Sequence, residues 1–135
     1  MKRVTVKVLL LLGLAGLAGC AMSPEERMSR ELSLKQTMDS FVAATVQGDW
    51  NTLYGFTDGD FESADQLKEN LAKSWVQDAT LTNGSIASMA WVNDRLAKVK
   101  LNWTFQSGSV QSFSSETFVW VWRGNGWKYK GRTLR

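Results

Sequence analysis

The chain is 135 residues long and has 16 basic side chains, 13 acidic side chains, one cysteine and no histidine. Three of the basic residues lie in the first 20 positions, and the remainder carries 13 charges of each sign, which excludes a dedicated nucleic-acid binder. The absence of histidine excludes ordinary zinc sites and serine–histidine catalysis, and the single cysteine excludes an internal disulfide.

The N-terminal segment combines a basic start, an apolar stretch and a run of small residues before the cysteine. It begins Met-Lys-Arg, and Leu17-Ala18-Gly19 directly precedes Cys20. One alternative is a membrane-spanning helix, but Lys7 interrupts the stretch, which is shorter than the roughly 20 apolar residues that such a helix needs. A buried structural thiol is the other alternative for Cys20. The pattern as a whole resembles the signal of bacterial lipoprotein precursors.

This resemblance implies that residues 1–19 are cleaved off as a signal peptide and that residues 20–24 form a lipidated N terminus and a short tether. Cys20 would carry a diacylglycerol on its sulfur and an acyl chain, such as palmitate, on its new amino group. Two or more chains give stable membrane anchoring. Ala21 after the cysteine, in place of aspartate, implies delivery to the outer membrane, with the protein facing the periplasm.

Three helices are expected in the first half of the mature chain. The Ser-Pro-Glu-Glu motif at 23–26 is typical of a helix start, and apolar residues at three- and four-residue spacing continue to about Gln47. Asp49 then caps a short second helix. A second capping motif at residues 63–66 opens the third helix.

The second half has the two-residue period of strands. Apolar and polar side chains alternate from Ala97 to Gln106, which predicts a strand with one wet face. Turn signals separate it from further strands near 85–92, 112–123 and 127–133. We therefore expect an α+β fold in which three helices pack on one face of a twisted, four-stranded antiparallel meander, with the shape of a cone.

The last hairpin decides which side chains share a face. If Trp122 pairs with Trp127, the rings between Phe118 and Tyr129 line the inner face. The outer face then carries a basic strip composed of Lys98, Lys100, Lys128, Lys130 and Arg132. Such a strip is a solvated surface, a contact for an acidic partner or for anionic lipid headgroups, or an interface between two copies of the chain.

Short motifs resemble the nuclear-transport-factor-2-like superfamily, whose domain is a cystatin-like cone. The resembling segments are 41–50, with its Gly-Asp break between helices, then 91–99 and the closing Gly-Trp-Lys-Tyr at 126–129. The resemblance implies one such domain over residues 25–135. In that superfamily the cone often holds a ligand, and the outer face of the sheet often pairs two subunits.

Seven tryptophans leave two interpretations open. Large rings fill a small core efficiently, or they form an aromatic pocket for an apolar ligand. The candidate pocket residues are Trp50, Trp103, Phe105, Trp120 and Tyr129. Asp49 is the best-placed acid by sequence, although a helix cap explains it as well. The acidic turn at 58–62 lacks the later ligands of a calcium loop, and no catalytic residue, cofactor or metal is predicted.

The expected function is that of a non-enzymatic accessory lipoprotein of the bacterial envelope. It would bind a protein partner or a small apolar ligand. The alternatives are a small-molecule isomerase or cyclase that uses an aspartate or tyrosine in the cone, and a purely structural dimeric subunit.

Overall fold

A computed structural model describes residues 22–132. The predicted signal peptide and Cys20 lie outside the described residues, as do positions 133–135. The chain divides at Leu32 into two compact units. Of the first unit, residues 22–32 are described; the second is described from residue 33 to residue 132.

Three helices form where the sequence predicts them. They are α1 (Pro24–Gln47), α2 (Trp50–Tyr54) and α3 (Ala64–Ala72). At the start of α1, the Ser23 hydroxyl accepts a hydrogen bond from the Glu26 amide at 3.1 Å, and the Glu26 carboxylate accepts one from the Ser23 amide at 3.0 Å. This reciprocal capping satisfies two amides that the helix leaves unpaired. At the other end of α1, Gly48 adopts a φ of 73°, a conformation that ends helices and favours glycine.

Four strands follow, and each pairs antiparallel with the next. They are β1 (Thr80–Asn93), β2 (Leu96–Ser107), β3 (Val110–Trp122) and β4 (Trp127–Arg132), in the sheet order β1-β2-β3-β4. The predicted α+β class and antiparallel meander are confirmed. β1 begins five residues before the expected Ser85. Three register shifts break its two-residue period, so the sequence pattern does not reveal the full length of the strand.

The inner face of the sheet and the helical segments of the second unit share one apolar core. In β2, every second residue from Ala97 to Phe105 is at most 1% exposed, whereas Lys98 and Lys100 between them are exposed. From the helices, the core receives Leu34, Met38, Phe41, Leu53, Leu67 and Leu71. The sheet therefore has one dry face and one wet face.

The last hairpin has the expected register at its turn and a bulge at its end. Trp122 pairs with Trp127, and Trp120 pairs with Tyr129. The next pair joins Val119 to Gly131, so Lys130 is an extra residue with no partner across the ladder. Such a residue reverses the alternation of the strand beyond it.

The prediction that Arg132 lies on the outer face is consequently wrong. Arg132 pairs with Phe118, a core residue with no exposed surface, and opposite residues on paired strands point to the same face. Gly131 makes the bulge possible because its φ of 112° is in a region that side-chain-bearing residues rarely adopt.

Candidate functional site

The rings predicted to line a pocket instead fill the core. Trp103, Phe105, Trp120 and Tyr129 are each at most 1% exposed. The Phe41 ring lies among them, with its centroid 5.0 Å from that of Trp120 and 5.6 Å from that of Tyr129. Ring separations of this size are those of packed aromatic clusters. These four side chains therefore act as the interior of the domain.

Trp50, the fifth candidate, lies apart from Trp120 and Tyr129. It is half-buried at the start of α2, and its ring centroid is 6.0 Å from that of Trp75. The ammonium group of Lys68 lies 5.8 Å from the Trp50 ring, within the range of a cation–π contact. Trp50 therefore packs at the border of the core beside α3.

Among the grooves on the described part of the second unit, two are candidate binding sites, and none of the five predicted pocket residues lines either of them. The larger has a volume of about 520 Å³. Its lining residues are Asp60, Phe61, Gln66, Glu69, Asn70 and Lys73; we call it the α3 groove. The smaller, of about 360 Å³, lies between positions 39–47 of α1 and residues 83–86 of β1.

A hydrogen bond from the core fixes one wall of the α3 groove. The Tyr129 hydroxyl donates to Oδ1 of Asn70 at 2.8 Å. One turn earlier on α3, Oε1 of Gln66 accepts from the Glu62 amide at 2.6 Å. Burial raises the pKa of the Tyr129 hydroxyl well above its usual range, so it remains a donor at neutral pH.

An unexpected ion pair lies on the inner face of the sheet. Nη1 of Arg132 is 3.5 Å from Oε2 of Glu116, a residue that pairs with the buried Leu101. Burial raises the pKa of the Glu116 carboxyl, and the charge of Arg132 opposes that effect. The inward orientation of Glu116 was not predicted from the sequence, although Glu116 lies two residues before Phe118 and four before Trp120 on the same strand.

The remaining basic-strip residues divide into two groups. Lys98, Lys100 and Lys128 lie on the outer face, opposite Val119, Thr117 and Val121 respectively. Nζ of Lys130, in contrast, lies 2.6 Å from Oδ2 of Asp60.

The acidic turn after α2 is held by ion pairs with β4 and its hairpin. Asp58 pairs with Nε of Arg123 and Asp60 pairs with Lys130. The preceding residues run beside β4, where the Tyr129 amide donates to the Phe56 carbonyl at 2.8 Å. Within residues 22–132, no group of three or more acidic, cysteine or histidine side chains could hold a metal ion.

Asp49 and Tyr54, an acid and a tyrosine at α2, both have structural partners. Asp49 caps α2 by accepting hydrogen bonds from the Thr52 hydroxyl at 2.7 Å and the Thr52 amide at 3.2 Å. These bonds lower the pKa of the Asp49 carboxyl. The Tyr54 hydroxyl donates to the Phe61 carbonyl at 2.9 Å.

Comparison with known proteins assigns no family to the chain. No family model matches it, and no curated protein matches it. Among solved structures, it is similar to the solution structure of a SEC-C motif containing protein from Rhodopseudomonas palustris. The identity is 15%, the match covers 69% of this chain and 72% of that chain, and the TM-score is 0.49. No helix within residues 22–132 is long and apolar enough to cross a membrane.

Proposed function

We propose that the protein is a lipid-anchored binding module of the bacterial envelope. Cys20 would hold it at the outer membrane, facing the periplasm, and the outer face of its sheet would bind an acidic surface of a partner protein. The observation that carries this proposal is the charge of that face. Glu116 is the one carboxylate in the four strands, and it points inward, whereas Lys98, Lys100 and Lys128 point outward.

These three lysines have no ion pair among the described residues. The side chains opposite Lys98 and Lys100 on both neighbouring strands are neutral. Their charges are therefore not compensated within the described domain and attract carboxylates from outside it. Complementary charge of this kind accelerates association and selects partners.

An exposed ring adds an apolar contact to the same face. Phe113 is 72% exposed and lies opposite Thr104 on β2. Thr104 follows Lys100 by four residues in the alternating strand, so Thr104 and Phe113 are on the same outer face as the lysines. Aromatic residues contribute most to the free energy of binding where a partner covers them completely. Phe113 and the lysines together suit a protein surface that has both carboxylates and an apolar recess.

The number of lysines favours a protein over a lipid surface. Basic clusters that bind anionic lipid headgroups contain about four to eight lysines or arginines. The outer face retains three because Lys130 is paired with Asp60 and Arg132 lies on the inner face.

The interior supports a binding role in preference to the isomerase or cyclase alternative. The candidate pocket is filled by rings, and the hydroxyls of Tyr54 and Tyr129 each donate to a protein acceptor. The Asp49 carboxylate is occupied as a cap. Catalysis in the cone would need both space and an available acid or base.

Photocrosslinking from the outer face tests the proposal. With p-benzoyl-phenylalanine at position 113 of the full chain in cells, we expect one discrete crosslink to an acidic envelope protein. The double substitution Lys98→Glu and Lys100→Glu should abolish it, because the contact depends on positive charge. The Cys20→Ser variant should leave the membrane fraction and lose the crosslink.

Asn125, in the exposed turn between β3 and β4, is the matched control position for the crosslinker. The same product from position 125, or a product from position 113 that survives charge reversal, would contradict the partner proposal. A crosslinked product of two copies would instead assign the outer face to a homodimer. Membrane retention of the Cys20→Ser variant would contradict the anchor.

A further inference from the structure

We infer that the α3 groove binds a neutral carbohydrate that carries acetamido groups. This site is separate from the outer face of the sheet, and the inference does not depend on the proposed protein partner. Its volume of about 520 Å³ lies within the range of about 300–1,000 Å³ that is typical of small-molecule sites.

The first support is the orientation of two side-chain amides. Asn70 and Gln66 lie one helical turn apart on α3, so both face the same side. Their carbonyl oxygens are occupied by the Tyr129 hydroxyl and the Glu62 amide. Each NH2 group is consequently left for the groove, and neither has an acceptor among residues 22–132. The groove thus presents two amide donors, one on the half-buried Asn70 and one on the exposed Gln66.

The orientation of Asn70 is set from the core. Tyr129 is fully buried and donates from β4 to a residue 59 positions earlier in the chain. A rotated Asn70 amide would leave that hydroxyl without an acceptor, which is costly for a buried polar group. Tyr129 therefore acts as a positioning residue for the Asn70 donor.

An aromatic ring supplies the apolar side of the groove. The Phe61 ring stacks on Tyr129 with a centroid distance of 5.8 Å and an interplanar angle of 17°. The Phe61 carbonyl also accepts the hydrogen bond of Tyr54. These two contacts hold Phe61 in place, and a fixed ring is a suitable platform for the apolar face of a sugar ring.

The charges in the groove favour a neutral ligand. Lys73 and Glu69 have opposite signs, and Asp60 is neutralised by Lys130. The donors are two amides and an ammonium group, while the Glu69 carboxylate is an acceptor. Acetamido carbonyls match the donors, and sugar hydroxyls match the carboxylate.

Titration with two matched disaccharides tests the inference. The full mature chain, isotopically labelled and held in phosphocholine micelles that contain no sugar, is titrated with N,N′-diacetylchitobiose (called chitobiose below) and with cellobiose at millimolar concentrations. The two have the same linkage, and chitobiose alone has acetamido groups. We expect saturable backbone shifts confined to residues 60–73 with chitobiose, and an affinity at least about tenfold lower for cellobiose.

The variant Asn70→Asp keeps an acceptor for Tyr129 but replaces the donor by a carboxylate. We expect it to bind chitobiose at least about tenfold more weakly, while Asn125→Asp, a change of the same type in an exposed turn, binds as the unmodified chain does. Absence of saturable shifts, equal affinity for both disaccharides, or unchanged binding by a folded Asn70→Asp variant would overturn the inference. Stronger competition by acetate than by cellobiose would show an anion site and would overturn it as well.

Discussion

Replacement of Phe41 by alanine is expected to lower the free energy of unfolding by about 3–5 kcal/mol. Phe41 has no exposed surface, and its ring centroid lies within 6.4 Å of the centroids of four other rings, those of Phe56, Phe118, Trp120 and Tyr129. Truncation removes contacts with all four and leaves a cavity that rigid rings cannot close. Urea unfolding of the mature chain, followed by tryptophan fluorescence, measures the change.

Phe113→Ala is the matched control because it deletes the same ring from the exposed outer face. Its effect on unfolding should stay within about 0.5 kcal/mol. If the two substitutions cost the same, Phe41 is not at the centre of a packed core, and the assignment of the inner face to packing is wrong.

Gly84→Ala is expected to destabilise the domain by about 1–3 kcal/mol. A Cβ atom at Gly84 would lie 2.5 Å from Cζ3 of Trp103 and 2.9 Å from Cγ1 of Val42. The first atom belongs to a fully buried ring on β2, which cannot move without displacing the core, and the second belongs to the half-buried Val42 of α1. The close approach of α1 to β1 therefore depends on the missing side chain, and thermal unfolding should show a lower Tm.

Gly126→Ala is the matched control, because the added methyl group there would not meet any neighbouring atom. No atom would lie within 4 Å of a Cβ at Gly126, and its φ is not in the left-handed region. The change there should be within about 0.5 kcal/mol. Equal unfolding midpoints for the Gly84→Ala and Gly126→Ala variants would show that helix and strand are not in close contact at Gly84.

Local signals in the sequence predicted most of the fold. The capping motif at 23–26 and Gly48 marked the ends of α1, and the regular alternation in β2 identified its buried face. The pairing of Trp122 with Trp127 followed from the short turn between them. Each of these features depends on residues that are close together in the chain, so a single sequence contains enough information to detect them.

Features that depend on an irregularity or on distant residues were not predictable. One extra residue at Lys130 moved Arg132 to the inner face, and no pattern distinguishes a glycine that makes a bulge from one that continues a strand. The bond from Tyr129 to Asn70 and the ion pair of Lys130 with Asp60 join positions 59 and 70 residues apart. Asn70 and Asp60, which these two contacts hold, both line the α3 groove.

The aromatic inner face is a closed core, so that a partner or ligand would have to bind on the exterior. Hydrogen exchange of the indole N–H groups of Trp103 and Trp120 shows whether this core excludes water. Both groups are buried without a hydrogen-bond partner in the described residues, so exclusion of water is what would protect them. We expect both to exchange only through global unfolding, more slowly than the indole of the half-buried Trp50. Rapid exchange at Trp103 and Trp120 in the folded protein would show that the rings line a water-filled pocket and not a closed core.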